Sequence, residues 1–206
     1  MWWWGGLACG STYLGGMPVE RFEDLDLTRR YTYADYVTWK FQERVELFRG
    51  WVMRMAGPNT YHQRVSGDLY FNLRRTLPPE CQAFAAPTDV LIARTDEGDS
   101  IVQPDLLVVC DASKIKEQYV EGAPDFIVEI VSPGNGKKEL DRKYTQYEEA
   151  GVREYWVVHP QDKTILRFVL GPDGTFVGRP PRTVDSAEVT SEIFPTVRLA
   201  GADIFP

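Results

Sequence analysis

Apolar positions along the chain fall into two kinds of pattern. Spacings of three to four predict helices, and alternating or unbroken short runs predict strands. The longest helical pattern covers 61–77, with His62, Val65, Leu69 and Leu73 on one face. Asn59 or Thr60 is placed to begin it, and Pro78-Pro79 to stop it. A second helix is predicted over 137–150, KKELDRKYTQYEEA, after a break at glycines 134 and 136. Leu140, Lys143, Tyr144 and Tyr147 share one of its faces, and Gly151 is its C-terminal stop. Thr32 caps a short helix over 34–41. The segment ERVELFRGWVMRMAG predicts a hairpin turning at Arg49-Gly50. Further strands are predicted at CQAFAA, DVLIART, SIVQPDLLVVC, PDFIVEIV, REYWVVHP and TILRFVL. GPDGTF then turns into a C-terminus of strand and loop. Helix, hairpin, helix, strands, helix, strands is the order of an α/β or α+β sandwich, one mixed sheet flanked by helices.

Length and composition narrow the class. The chain has 206 residues, 43% hydrophobic and 26% charged, which suits one ordered domain, expected over 17–206. Residues 1–16 carry no charge and lack the basic start of a signal peptide. They are expected to be a non-native or misannotated extension, with Met17 the natural start. No run of about 18 apolar residues suggests a membrane span. A net charge of −7 argues against coating nucleic acid by bulk charge but leaves room for a local basic groove. Arg29-Arg30, Arg74-Arg75, Lys137-Lys138 and Arg142-Lys143 are the candidate patches. Three cysteines, none in a CxxC pair, argue against a disulfide scaffold or a cysteine-zinc site and for a reducing cytoplasm. With two histidines, a histidine-rich metal site is excluded, and any metal would be held by oxygens, as magnesium or manganese is.

The stretch PDFIVEIVSP sets a carboxylate, Glu129, where the pattern calls for core. An ionised carboxylate is costly to bury without compensation. Glu129 therefore lies on a wet sheet edge, pairs with a buried Arg or Lys, or binds a metal in a cleft. Two Pro-Asp pairs precede it, Pro104-Asp105 and Pro124-Asp125. Asp125 is ~13 Å back along the same strand, too far to share a small cation, and is expected to shape the entering turn. Asp105 opens a separate apolar run. If that run pairs beside the first, Asp105 and Glu129 meet at ~5 Å and form a magnesium-type site. Lys143 either faces inward, pairing with Glu129 and reaching a substrate phosphate, or snorkels on a half-exposed rim. Asp141, off that face, is a surface charge or a supporting partner. Tyr147 and Trp156 are expected in the core, and His159 is expected to be structural.

Asp105, Glu129 and Lys143 resemble the PD-(D/E)XK nuclease superfamily, the restriction-endonuclease-like fold. More narrowly, ERVELFRG, the histidine in NTYHQ, VQPDLLVV, GAPDFIVEIVSP and LDRKYTQYEEAGVREYWVVHP resemble the Uma-two family of endonucleases, over about 31–205. The parent motif has its lysine two residues after the glutamate, where this chain has Val131; Lys143 on the following helix matches the known substitute. The resemblance implies metal-dependent hydrolysis of nucleic acid, expected to be DNA, leaving a 5′-phosphate. Asp105, Glu129 and the backbone carbonyl of Ile130 would hold one or two ions of magnesium or manganese, and Lys143 would stabilise the transition state. Glu46 would approach the metal, His62 would orient a water or phosphate, and Gln103 would contact the site. Weak, salt-sensitive DNA binding and, by analogy, a homodimer go with that reading. Two rivals stand beside it: a catalytically inactive binding or regulatory module on the same fold, and a metal-free hydrolase using the two carboxylates as acid and base in an aromatic-lined cleft.

Overall fold

The computed structural model describes residues 18–132 and 136–205. The expected extension at 1–16, the start at Met17 and the break at Gly134 lie outside them.

The chain begins with a short helix α1 (Tyr33–Tyr36), followed by a hairpin of β1 (Val45–Phe48) and β2 (Trp51–Arg54), and then α2 (Thr60–Thr76). Strands β3 (Gln82–Ala85), β4 (Asp89–Ala93), β5 (Ser100–Val102), β6 (Leu106–Val109), β7 (Tyr119–Glu121) and β8 (Phe126–Ile130) lead to α3 (Lys137–Ala150). The chain closes with β9 (Glu154–His159), β10 (Thr164–Leu170), β11 (Phe176–Thr183), β12 (Val189–Thr190) and β13 (Arg198–Leu199). The α+β class holds, but the strands expected to share one sheet are divided. One sheet has the order β2-β1-β5-β4-β7, the other β11-β10-β9-β8-β6-β3, and β12 and β13 form a separate ribbon.

The division happens at Pro104. SIVQPDLLVVC reads as one strand, yet β5 ends at Val102 in the first sheet and β6 starts at Leu106 in the second. Proline cannot donate to a ladder, so the pairing stops there and the chain changes sheets across Gln103-Pro104-Asp105. Beyond the crossover β8 is buried along its whole length because both faces are covered. Val65, Leu69 and Leu73 of α2 pack with Phe126, Val128 and Ile130, while Tyr147 of α3 packs with Ile127, Tyr155 and Val157 on the other side.

Local chemistry explains the element ends. Asn59 caps α2, its side chain accepting the His62 amide hydrogen. Gly151 closes α3 in the left-handed conformation at φ 85°. Arg49 (φ 47°) and Gly50 (φ 81°) form the two-residue turn of the hairpin. At Gly50 a Cβ would come within 2.7 Å of Arg30 Cβ, so the turn needs glycine twice over. Thr32 and Asp35 form a capping box on α1. That helix stops at Tyr36 instead of continuing to Phe41: the Thr38 hydroxyl donates to the Asp35 carbonyl, and Trp39 turns to meet Tyr31 edge-to-face and stack with Phe41. Strand β7, short and flanked by irregular chain, gave no clear pattern in advance.

The cysteine expectation is corrected. Cys81 and Cys110 form a disulfide with Cα atoms 3.9 Å apart. Antiparallel pairing of Gln82 with Val109 sets the two cysteines opposite each other, a juxtaposition that a sequence separation of 29 does not reveal. Among the described residues no helix is long and apolar enough to cross a membrane.

Candidate active site

The register of β6 and β8 decides the centre of the site. Leu106 pairs antiparallel with Val128, so Asp105 and Glu129 stand opposite each other at the next position. Asp105, at the mouth of the crossover, accepts from the Ile130 amide at 2.7 Å through Oδ2 and meets His62 Nε2 at 3.2 Å with the same oxygen. Lys143, in the middle of α3, places its ammonium 2.8 Å from Glu129 Oε1 and 3.3 Å from Glu46 Oε1. The Tyr147 hydroxyl, one helical turn on, donates to Glu129 Oε1 at 2.5 Å. Glu46, on β1, also accepts from the Gln103 amide at 3.0 Å and lies 3.7 Å from Arg142. Two sheets and two helices thus each lend side chains to one pocket of about 170 Å³. Arg44, Arg54, His62, Gln103, Asp105, Glu129 and Lys143 line it.

Charge is unevenly balanced here. Asp105, Glu46 and Glu129 surround Lys143, whose ammonium has 4% of its side chain exposed. Burial works against that ammonium, but Glu129, Glu46 and Asp105 hold it well above its ordinary range. Burial pushes Glu129 up to about 7, against the pull of Lys143 and with the repulsion of Asp105 and Glu46. One buried lysine stays charged, and three carboxylates share it. His62 is disfavoured as a cation by burial, yet Asp105, the Ile130 backbone and Glu129 outweigh that and raise it above its usual value. Among the described residues, Asp105 Oδ1 and Glu129 Oε2 accept no hydrogen bond.

These shifts make stability depend on pH in a definite direction. A carboxyl raised in the folded state contributes stability that is complete below its ordinary value, 4.5, and lost as pH rises through about 7. His62, also raised, contributes below 6.5 and loses that contribution as pH climbs through its folded value. Both terms have the same sign between roughly pH 5 and 8, and a carboxyl moved from 4.5 to about 7 is worth ~3 kcal/mol. Urea unfolding of the metal-free protein is expected to show stability falling across that range, with Glu129→Gln removing most of the slope. A wild-type profile that rises toward pH 8, or one that Glu129→Gln leaves unchanged, contradicts this assignment.

The structure brings together Asp105, Glu129, Lys143, Glu46, His62 and Gln103. Lys143 takes the inward of its two expected positions. Asp125 is a structural acid, accepting from the Cys110 amide and pairing with Arg153 beyond the pocket. Trp156 is core, and its indole donates to Glu154, a second buried strand carboxylate that also accepts from Ser191, Glu192 and Ile193. Glu154 shows how a purely structural acid is satisfied, by four neutral donors. Tyr147 is core as expected, but its hydroxyl serves Glu129, a role apolar spacing cannot show. Arg44 was missed altogether, although it precedes Glu46 by two and so shares its strand face. Of the basic pairs, Arg29 and Arg30 are engaged with Asp35 and Glu97, away from the pocket.

The profile of the Uma2 family, described as "Putative restriction endonuclease", matches residues 33–201. The chain belongs to the Uma2 family. A similar solved structure is a "putative nuclease belonging to DUF820" from Anabaena variabilis ATCC 29413. It covers 84% of this chain and 97% of its own at a TM-score of 0.64 and 18% identity, a likeness of fold. No curated protein matches this Uma2 chain.

Proposed function

We propose that this protein is a divalent-metal-dependent endonuclease hydrolysing phosphodiester bonds, with DNA as its substrate class, in one catalytic domain over 17–206. The observation that carries this is the meeting of Asp105 and Glu129 across β6 and β8, with the Lys143 ammonium 2.8 Å from Glu129. Membership of the Uma2 family supports it.

Asp105 Oδ1, Glu129 Oε2 and the Ile130 carbonyl are the proposed ligands of magnesium or manganese, with Glu46 behind them. The pocket fits such an ion on two counts: an all-oxygen donor set, and carboxylate oxygens, Asp105 Oδ1 and Glu129 Oε2, that accept no hydrogen bond among the described residues. Among the described residues no three His, Cys, Asp or Glu side chains cluster as a complete metal cage. Magnesium is commonly held by one or two carboxylates together with substrate phosphates, so a partial set suffices. When bound, the cation would supply charge neutralisation at the phosphate and a more acidic water. Lys143, kept protonated by its three carboxylates, acts as an electrostatic donor to the developing oxyanion and not as a proton acceptor. His62 fixes the orientation of Asp105 through Oδ2.

An inert module on this fold calls for a displaced Lys143 or for no metal binding; the Lys143 ammonium sits on Glu129, and metal binding is left to experiment. An acid-base glycosidase calls for an aromatic cleft, whereas among the described residues no Trp, Tyr or Phe lines this pocket. The cytoplasm remains the proposed compartment, where Cys81 and Cys110 would stand as a facing dithiol, and a homodimer is proposed for cutting both strands of a duplex. Labelled DNA and RNA, single- and double-stranded, incubated with magnesium or manganese and with EDTA, test the function. Divalent-dependent cleavage of DNA leaving 5′-phosphate ends is expected. Cleavage that survives EDTA, or none with either metal, sinks the proposal.

A further inference from the structure

Gln103 is a buried amide whose orientation its neighbours dictate. Its Nε2 lies 2.8 Å from Asp89 Oδ1 and 3.2 Å from the Tyr36 hydroxyl, which itself binds the same Asp89 oxygen at 3.0 Å. A carboxylate accepts only, so the amide nitrogen must face it. The carbonyl Oε1 is thereby turned the other way, where it receives Arg44 Nε at 2.9 Å. The Gln103 backbone amide meanwhile holds Glu46 Oε1, which faces Lys143. One residue of the sheet crossover therefore ties an arginine to the rest of the pocket.

Arg44 differs from the other cations lining that pocket. Lys143 is held by Glu129 and Glu46, His62 by Asp105, and Arg54 leans toward Glu43 at 3.7 Å. Among the described residues, Arg44 has no carboxylate within ion-pair distance, and its two terminal nitrogens have no hydrogen-bond partner. A half-buried guanidinium held at Nε and open at both ends of its planar fork is prepared to bind two oxygens of one anion, such as the non-bridging pair of a phosphodiester. A second groove shares Arg54 and Glu139 with the pocket; Arg54, Lys138 and Arg142 line it together with Glu46 and Glu139, and its three cations offer contacts to the flanking backbone.

We propose that Arg44 binds a phosphodiester of the substrate at the mouth of the pocket, and that Gln103 is the positioning residue that aims it. This rests on the reading of the pocket as a nuclease site. Arg44 contributes binding and alignment, while Lys143 remains the donor at the reacting phosphate. Losses at Arg44 and Gln103 therefore fall on KM more than on kcat.

Fluorescence anisotropy of a short labelled DNA, in calcium to hold off cleavage, tests this across a salt series. Arg44→Ala is expected to weaken binding roughly tenfold and to lower the salt slope by about one phosphate contact. Arg44→Lys restores the slope but not the full affinity, because it lacks the fork. Gln103→Met keeps every charge and raises KM with the salt slope unchanged. Arg94→Ala, at a distant surface ion pair with Glu121, binds as wild type. Melting curves confirm that each variant folds, and Arg44→Lys serves if Arg44→Ala does not. Wild-type affinity and slope in both Arg44 variants overturn the proposal while leaving the nuclease reading intact. An equal loss in Arg94→Ala overturns it in favour of bulk charge. A wild-type protein that binds no DNA removes both.

Discussion

Replacing Asp105 by asparagine is expected to lower metal-dependent cleavage by roughly a thousandfold or more, the several kcal/mol that a bound cation contributes. The fold should survive, because asparagine has the same shape and its carbonyl oxygen can still accept from the Ile130 amide, now 2.7 Å from Asp105. What disappears is the negative charge facing Glu129. Manganese binding by calorimetry should be lost along with activity, at a melting temperature close to wild type. The same change removes the Asp105 charge and hydrogen bond that oppose the effect of burial on His62, leaving only the weaker pull of the Ile130 backbone and Glu129. Its imidazole should then titrate at lower pH, as NMR can follow. Unchanged manganese binding in Asp105→Asn would remove Asp105 from the proposed ligand set.

Lys143→Met is expected to be the most destabilising change in the pocket, by ~3–5 kcal/mol. Lys143 is the cation nearest both Glu129 and Glu46, and its side chain is 4% exposed. Without it, buried carboxylates face one another with Arg142, 3.7 Å from Glu46, as the remaining close cation. Glu129 would then take up a proton, so the loss should be greater at pH 8 than at pH 5. Adding Glu129→Gln to Lys143→Met should recover part of the stability and none of the cleavage, since it removes the stranded charge without restoring a donor. Unfolding by urea gives the first quantity and turnover the second. A double variant no more stable than Lys143→Met alone would mean that the two side chains do not compensate each other.

The contrast between Glu129 and Glu154 shows how far strand patterning reaches. Both are acids in fully buried runs, and nothing in their flanks separates them. Glu154 is neutralised by donors from a distant loop around Ser191 to Ile193, Glu129 by a lysine one element away. Lys143 was legible because helical spacing links it to Leu140, Tyr144 and Tyr147, which belong to the core. Arg44 was not, because strand alternation places it on a face without saying that Gln103 waits there.

Helices α2 and α3, their caps, the hairpin turn and the apolar runs are set by interactions within a few residues, which is why their positions could be read along the chain. The turn at Gly50 and the stop at Gly151 belong here too, being matters of backbone sterics. The split of the strands into two sheets, the facing of Asp105 with Glu129, the pairing of Cys81 with Cys110 and the aim of Arg44 through Gln103 are long-range facts. Each depends on a register or a crossover, and a slip of one position would turn every side chain of a strand to its other face. Local chemistry supplied the acids, the lysine and the arginine. Their convergence into one pocket came from burying both faces of β8 while Pro104 passed the chain from one sheet to the other.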